Sequence, residues 1–285
     1  MRSGDATLRY PRRKVSPMSN YVISQIKRDH LMNLLADGRR EDGRQLDEMR
    51  KITVETGIIE SAEGSARVHL GNTDVIAGVK VIPGTPYMDA PGDGVLTTGA
   101  ELIPLAHESF EPGPPSEDAI ELARVVDRGI RESGMIDVKQ LCIKKGEEIW
   151  MVFIDIYALD YDGNLFDASN LAAVCALKNA IVPWKQYGKS RTDDDGNVTE
   201  MDNVPMPVTC LPISVTECKI GNDLIVDPNF DEEAIPTARL TVTTDNDGNF
   251  RAMQKGGKGS ITRGDLSLCL DRAVEIGKQI RNIIG

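Results

Sequence analysis

The order of elements along the chain, strands followed by a helix and then the same again, most constrains its fold. Strand-like apolar runs occupy residues 52–59, 66–70, 74–82, 95–103 and 149–159, then 208–217, 224–226, 240–244 and 250–254. A polar, acidic segment at residues 187–202, which predicts an exposed loop, separates the two groups. This order predicts an α+β fold of two similarly built halves, about residues 18–186 and about residues 203–285.

Four segments have the spacing or end signals of helices. Residues 19–36 place apolar side chains such as Ile26, Leu31 and Leu35 on one face, and Gly38 is a stop signal. Residues 169–180 are rich in alanine and predict a buried helix. A final helix is expected from Thr262 to residue 284, with a near capping box at its start.

The fourth helix, at residues 116–133, carries a row of positive charge. Ser116 suits the N-cap, and Arg124, Arg128 and Arg131 follow at i, i+4 and i+7, within roughly 60° of one another around the axis. Three guanidinium groups in a row can bind successive phosphates. Acidic residues nearby also allow a solvated face with local ion pairs, so the spacing alone leaves both interpretations open. These acidic residues are Glu121, Asp127 and Glu132.

Composition limits the function classes. The 285 residues have a formal net charge of -11, which argues against a protein that coats nucleic acid non-specifically. A localised basic channel, or one completed by a basic partner, remains compatible with that charge. The five cysteines are scattered without a CxxC pair, which predicts reduced thiols and a cytoplasmic protein. We expect no membrane span, because no apolar run approaches about 18 residues.

The N-terminal residues 1–17 are basic and show neither helical nor strand periodicity. They predict a flexible tail. A translation start at Met18 is an equally good interpretation, because Ser19 suits a helix cap.

Two other segments resemble binding sites weakly. Asp155, Asp160 and Asp162 could form a metal cluster, but Asp155 and Asp160 have opposite parity on a strand, and residues 160–163 read equally well as a polar turn. The three histidines are also dispersed, so we expect no metal. The glycine-rich residues 255–260 lack the Gly-Lys-Ser/Thr ending of a P-loop, which favours a turn before the last helix.

Three separated motifs carry a family resemblance. Residues 64–78 (GSARVHLGNTDVIAG), residues 121–128 (ELARVVDR), and residues 154–156 with 160–163 (IDI and DYDG) resemble motifs of the RNase PH family, in the family's order. The similarity runs from about Ser19 to the C-terminus and is closest to the RNase PH-like subunits of the archaeal exosome, one catalytic and one not. It implies a fold like domain 2 of ribosomal protein S5 and a role in 3′→5′ RNA decay with phosphate as nucleophile.

The phosphate-binding turn of the active relatives is altered in this chain. In those relatives Asp-Gly is followed by a hydroxyl residue and an arginine that hold the phosphate. By that resemblance Leu165 stands in place of the hydroxyl and Phe166 in place of the arginine. Neither side chain can bind an anion, although such a site needs cations and dipoles aimed at the phosphate.

The acidic pair of the active relatives is also altered. Those relatives carry two acidic residues six positions apart before a late strand. The matching positions are Glu233 and Arg239, so one carboxylate is replaced by a cation. Both departures predict a non-catalytic subunit with no catalytic residue of its own.

The resemblance implies partners as well. A non-catalytic subunit of this kind pairs with a catalytic RNase PH-like subunit, and three such heterodimers form a ring of six that also binds RNA-binding cap subunits. Inorganic phosphate would be used by the partner, and this chain would need no cofactor. Its contacts to single-stranded RNA would come from Arg124 and Arg128, with Arg131 as a third candidate. A self-sufficient phosphorolytic enzyme and an assembly-only scaffold are the alternatives.

Overall fold

The computed structural model of the chain describes residues 25–193 and 195–285, so the expectations for the tail at residues 1–17 and for the start of the first helix lie outside the described residues. The elements are α1 (Gln25–Ala36), β1 (Ile52–Thr56), β2 (Gly64–Leu70), β3 (Thr73–Gly84), β4 (Val95–Leu102), α2 (Glu117–Ser133), β5 (Cys142–Lys144), β6 (Glu148–Asp160), α3 (Leu165–Lys178), β7 (Ile181–Val182), β8 (Ser190–Thr192), β9 (Val198–Glu200), β10 (Val204–Pro205), β11 (Ile213–Ile220), β12 (Asp223–Val226), α4 (Phe230–Glu233), β13 (Ala238–Thr244), β14 (Phe250–Gly256) and α5 (Arg263–Ile284).

Two main sheets organise the chain. The first has the order β1-β2-β3-β6-β5-β8-β9, and β4 pairs in parallel with β6. The second has the order β12-β11-β13-β14 and is antiparallel throughout. The strands β7 and β10 form a separate short pair.

The helices lie in layers around these sheets. α3 packs on β2 and β3 of the first sheet and on β11 of the second, and α2 lies beside it between β4 and β14. α5 packs on β11 and β13. Because α3 is covered on both sides, every residue from Leu165 to Leu177 is buried. The α+β class is therefore confirmed.

Three local predictions differ from the structure. α3 begins at Leu165 rather than near residue 169, because Asn164, in the left-handed region at φ 52°, caps the backbone N–H of Asp167. Ile26 does not join the buried face of α1, since its side chain is 83% exposed. The polar segment at residues 187–202 contains the β8–β9 hairpin, which its polarity concealed.

A buried ionic cluster fastens distant parts of the chain together. The Arg40 Nε donates to Glu232 Oε1 at 2.9 Å, and both side chains are at most 1% exposed. The Arg50 Nη2 donates to Asp227 Oδ1 at 2.8 Å, and Arg50 also donates to the carbonyl of Asp162. The loop after α1, the turn after β6 and the turn after β12 are thereby held in one arrangement. No helix within the described ranges is both long and apolar enough to span a bilayer.

Candidate functional site

The arginine row of α2 faces solvent, as its spacing predicts. Arg124, Arg128 and Arg131 are all exposed, whereas Leu122, Val125, Val126 and Ile130 on the other side of the helix are buried. The Ser116 side chain accepts from the Ala119 N–H at 3.2 Å and fixes the start of the helix. The row therefore projects from a helix that is capped and packed against the core.

The three arginines differ in how strongly they are tied to the protein. The Arg124 guanidinium has no ion-pair or hydrogen-bond partner among the described residues. The Arg128 Nη1 donates to Gln254 Oε1 at 3.2 Å. The Arg131 Nη2 donates both to Asp127 Oδ1 at 2.9 Å and to the Leu96 carbonyl at 3.1 Å. Arg124 is thus the most available for an outside anion, and Arg131 the least.

The acidic neighbour closest to Arg124 along the chain does not neutralise it. The Glu121 carboxylate accepts from Arg239 Nη2 at 2.8 Å and from Gln254 Nε2 at 3.3 Å. Of the three acidic residues considered for a solvated face, only Asp127 pairs with an arginine of the row, Arg131, in the described residues. Most of the positive charge of the row consequently remains available.

The positions of the altered phosphate turn are closed. The side chains of Leu165 and Phe166 lie in the first turn of α3 with 0% exposure. The Arg239 guanidinium carbon lies 4.0 Å from the centroid of the Phe166 ring, in a cation–π contact. An aromatic ring and a stacked internal cation therefore fill the two positions at the start of α3.

The N-terminus of α3 is occupied by the protein's own acceptors. Glu233 Oε2 accepts from the Asn164 backbone N–H at 3.1 Å and from the Tyr161 hydroxyl at 2.9 Å. Burial raises the pKa of Glu233, although Arg239 opposes the shift. A helix N-terminus attracts anions, and here a protein carboxylate already lies against it.

Glu233 and Arg239 are brought to the same region but do not form a hydrogen-bonded ion pair with each other within the described chain; the ion-pair partner of Arg239 is Glu121. Glu233 Oε1 and the Arg239 Nε have no hydrogen-bond partner. Because one of the two positions holds a guanidinium, they cannot act as a pair of carboxylates.

The aspartates of residues 155–162 and the glycine-rich residues 255–260, which weakly resembled binding sites, have other contacts in the structure. No group of three or more histidine, cysteine, aspartate or glutamate side chains that could hold a metal occurs within the described residues. Asp162 lies 3.6 Å from Arg50 and belongs to the ionic cluster, whereas Asp160 accepts from the Tyr161 N–H. In the glycine-rich segment, the Gly259 N–H donates to the Thr237 carbonyl at 2.7 Å, so this segment packs against the chain before β13. All five cysteines are free thiols.

Sequence reasoning did not show that one set of polar residues lines a common cavity. Thr98, Glu101, Asp155 and Tyr157 line a cavity of about 310 Å³ together with Arg124. Burial and the nearby Glu101 raise the pKa of Asp155, and burial raises the pKa of Tyr157. Their odd-numbered positions on β6 could have placed Asp155 and Tyr157 on one strand face, but nothing in the sequence places these residues and α2 around one cavity.

The fold and these motifs define a class of protein, and comparison with known families agrees. The profile of the 3′ exoribonuclease family, domain 1, matches residues 48–183, and that of domain 2 of the same family matches residues 210–276. The chain belongs to this family, the RNase PH family.

Individual relatives show which members of this family the chain is similar to. The chain is 46% identical over 267 residues to the exosome complex component Rrp42 of Methanocella arvoryzae, covering 94% of this chain and 97% of that protein. It is 47% identical over 264 residues to the protein of the same name from Thermococcus gammatolerans, covering 92% and 95%. Among solved structures, it is similar to a chain of the Archaeoglobus fulgidus exosome with RNA bound to the active site, with a TM-score of 0.85, 46% identity, and coverage of 91% of this chain and 98% of that one.

Proposed function

We propose that the chain is a non-catalytic, RNA-contacting subunit of an archaeal-type exosome, a phosphorolytic 3′→5′ exoribonuclease complex. Its similarity to proteins named as exosome components over more than nine tenths of the chain supports membership of that complex. The observation that carries the non-catalytic assignment is the contact of Arg239 with Phe166 over the start of α3. The Arg239 guanidinium there is paired with Glu121 and stacked on Phe166, and Leu165 offers no hydroxyl, so neither position is available to hold the attacking phosphate.

The contribution to RNA binding comes from the exposed row on α2. Arg124 and Arg128 lie one helical turn apart and point away from the core, and Glu121 is held by Arg239 instead of by Arg124. Two guanidinium groups at this spacing contact the phosphates of a single-stranded RNA. Arg131 contributes less, because Asp127 and the Leu96 carbonyl already hold it.

The partners follow from the same proposal. The chain pairs with a catalytic RNase PH-like subunit, which supplies the active site and uses inorganic phosphate. Three such pairs form a six-membered ring, to which RNA-binding cap subunits attach. We assign the complex to the cytoplasm, and the five free thiols fit that reducing compartment.

A phosphorolysis assay tests the non-catalytic assignment. The purified chain is incubated with 3′ single-stranded RNA in phosphate buffer, with and without a catalytic RNase PH-like partner. We expect nucleoside diphosphates only when the partner is present. Release of nucleoside diphosphates by the chain alone would instead support a self-sufficient enzyme.

Two substitutions test the RNA contacts. We expect Arg124→Gln with Arg128→Gln to slow RNA decay by the assembled complex without preventing assembly, because two phosphate contacts are lost. Arg263→Gln is the matched control, since Arg263 is exposed at the start of α5, on the far side of the second sheet. Normal assembly with unchanged decay in the double variant would favour an assembly-only scaffold.

A further inference from the structure

The cavity beside Arg124 opens at a free strand edge. Among the described strands β4 pairs only with β6, so its other edge has no strand partner. The cavity of about 310 Å³ lies between this edge and α2. That volume is at the lower end of the range in which proteins bind small organic ligands.

The edge of β4 offers backbone hydrogen-bonding groups to the cavity. The Leu96 carbonyl points toward α2, where it accepts from Arg131. Backbone groups of alternate residues in a strand point to the same side, so the N–H and C=O groups of Thr98 and Ala100 also point to the free edge. Adjacent donors and acceptors of this kind match the edge of a nucleobase, which also presents donors and acceptors side by side.

Two exposed carboxylates make one end of the cavity rich in acceptors. Asp155 pairs in register with Gly78 on one side and Gly99 on the other. A Cβ atom on Gly99 would lie 3.3 Å from Asp155 Oδ1, so the missing side chain lets this carboxylate extend toward the free edge. Glu101 also lines the cavity and accepts from the Tyr157 hydroxyl at 3.3 Å. Such an end repels phosphate and attracts the amino groups of a base.

The remaining wall is apolar and suits a flat ring. Ala119, Ile120 and Ala123 of α2 line one side, and Tyr157 lies among the lining residues. Ile120 and Tyr157 are 49% and 36% exposed, although both are large and apolar or aromatic. A base placed against these side chains would remove that surface from water.

The cavity continues into a longer groove. A second cavity of about 680 Å³ runs along the loop before α2 and shares Glu101, Pro115 and Ala119 with the first. A chain of nucleotides entering the first cavity therefore has a path along which its neighbours can lie.

We propose that the cavity between the β4 edge and α2 is a nucleobase pocket. It holds the base of an RNA nucleotide whose phosphate is bound by Arg124, and it prefers a base with an exocyclic amino group to uracil. Cytosine presents an amino group where uracil presents a carbonyl oxygen, so the Asp155 carboxylate attracts the first and repels the second. This inference rests on the proposed function, because it assumes that RNA is the ligand of the arginine row.

The test compares two ligands that differ at this group. The full chain is assembled with its catalytic partner in phosphate-free buffer, where phosphorolysis cannot proceed, and the Kd values of oligo(C) and oligo(U) of equal length are measured by fluorescence anisotropy. We expect the complex to bind oligo(C) more tightly, and Asp155→Asn to reduce the ratio of Kd for oligo(U) to Kd for oligo(C) by about threefold to tenfold. The ratio cancels any uniform effect of removing one negative charge.

Two further variants separate this proposal from the proposed function. Arg124→Gln should raise both Kd values by the same factor, because a phosphate contact does not depend on the base. Asp271→Asn, at an exposed position of α5, should leave the ratio unchanged. If Arg124→Gln weakens binding but Asp155→Asn leaves the ratio at its original value, the base pocket is wrong and the RNA contacts stand. If Arg124→Gln has no effect on either Kd, both proposals are overturned.

Discussion

Asp167, in the first turn of α3, is a carboxylate held almost entirely out of water. Its Oδ2 accepts from Asn164 Nδ2 at 2.8 Å and from the Thr216 N–H at 2.9 Å, and its Oδ1 accepts from the Thr216 hydroxyl at 2.7 Å. Burial raises the pKa of Asp167 to about 7, despite these hydrogen bonds. The nearby Asp227 carboxylate adds to the rise.

This raised pKa predicts that Asp167→Asn is most stabilising at alkaline pH. Between about pH 4 and pH 7 the folded protein keeps a proton on Asp167 that the unfolded chain has lost, so this residue's contribution to stability falls as pH rises. An amide can keep the three hydrogen bonds, because the Thr216 hydroxyl can donate to Thr241 and accept from the new amide group. We expect the stabilisation by Asp167→Asn, measured as the difference in the free energy of unfolding from the original protein, to be larger at pH 8 than at pH 5 by roughly 2–3 kcal/mol.

Urea denaturation at the two pH values measures this gain. Asp271→Asn, which removes an exposed carboxylate, should show no comparable change with pH. A gain for Asp167→Asn that is equal at pH 5 and pH 8 would contradict the assignment of a buried, proton-retaining carboxyl group.

For single residues, the sequence predicts which side chains are exposed to solvent better than it predicts which ion pairs they form. The i, i+4, i+7 spacing was sufficient to place Arg124 and Arg128 on the solvent face of α2. It could not show that Glu121 pairs with Arg239, which is 118 positions away, instead of with Arg124. Ion pairs between distant segments depend on the tertiary arrangement, which spacing along one helix does not contain.

Strand β13 is held between two helices that approach it from opposite faces. Gly129 of α2 lies over Thr243, where a Cβ atom would be 3.3 Å from the threonine side chain. Gly277 of α5 lies over Thr244, where a Cβ atom would be 2.7 Å from the hydroxyl oxygen. Adjacent strand residues point to opposite faces, so each helix contacts one of the two threonines.

This close approach predicts that Gly277→Ala destabilises the protein although alanine favours helices. Alanine usually gains about 1 kcal/mol over glycine inside a helix. Here the new methyl group would overlap the Thr244 hydroxyl, which also lies within 3.4 Å of the Arg281 guanidinium nitrogens. We expect the free energy of unfolding to fall by about 1–3 kcal/mol, measured by urea denaturation.

Gly264→Ala is the control within the same helix. A Cβ atom there would meet only the Thr262 hydroxyl at 3.8 Å, so we expect no loss of stability. Equal effects of the two substitutions would mean that α5 does not lie as close to β13 as described.

The residues at which helices begin and end were easier to predict than the places where helices pack closely against strands. The capping box of Thr262 and Asp265 is confirmed, because both of its hydrogen bonds depend only on local residues. The start of α3 was wrong by about four residues, since Leu165 and Phe166 resemble no cap signal and Asn164 adopts a left-handed backbone conformation. That error concerned the two positions on which the functional interpretation most depends.

For the whole molecule, the repeated order of strands and helices predicts the α+β class but not the layering. Alternating apolar residues gave the inner face of the first sheet, such as Val75, Ala77 and Val79. The burial of α3 between both sheets has only an indirect signal in its alanine content. The parallel pairing of β4 with β6 places Gly99 beside Asp155 and makes β4 the strand next to α2, and such long-range pairing cannot be read from local patterns.

The buried cluster that joins the halves predicts a non-additive response to substitution. Arg40→Met leaves the buried Glu232 without its hydrogen-bonded cation, with only Arg44 Nη2 at 4.0 Å. It also removes donors to the Val226 and Asp227 carbonyls. We expect a loss of about 3–5 kcal/mol in the free energy of unfolding. Adding Glu232→Gln should recover part of that loss, because the amide oxygen still accepts from the Asn229 N–H and the buried carboxylate that lost its partner is gone. Urea denaturation of the two single variants and the double variant measures the coupling, and strictly additive losses would contradict it.

The chain has a net charge of -11, so it can bind RNA only through local positive charge such as the arginine row of α2. The salt dependence of RNA binding tests whether these arginines act individually. An RNA contact through two arginines releases counterions only at those contacts, whatever the charge of the rest of the chain. Arg124→Gln should therefore reduce the slope of log K against log salt concentration, measured with the assembled complex in phosphate-free buffer, by about 0.7 to 1. Arg128→Gln should give the same reduction or a slightly smaller one, because Gln254 holds its guanidinium only through a neutral hydrogen bond.

Arg131→Gln provides the internal comparison, because it removes the same charge from the same helix. Asp127 neutralises that guanidinium at 2.9 Å, so few counterions are released when RNA approaches it, and we expect a smaller change in slope than for Arg124→Gln. Equal slope changes for all three variants would mean that RNA responds to the overall field of the helix. A decreasing order from Arg124 to Arg131 would mean that it responds to the individual guanidinium groups, each weighted by the partners it already has.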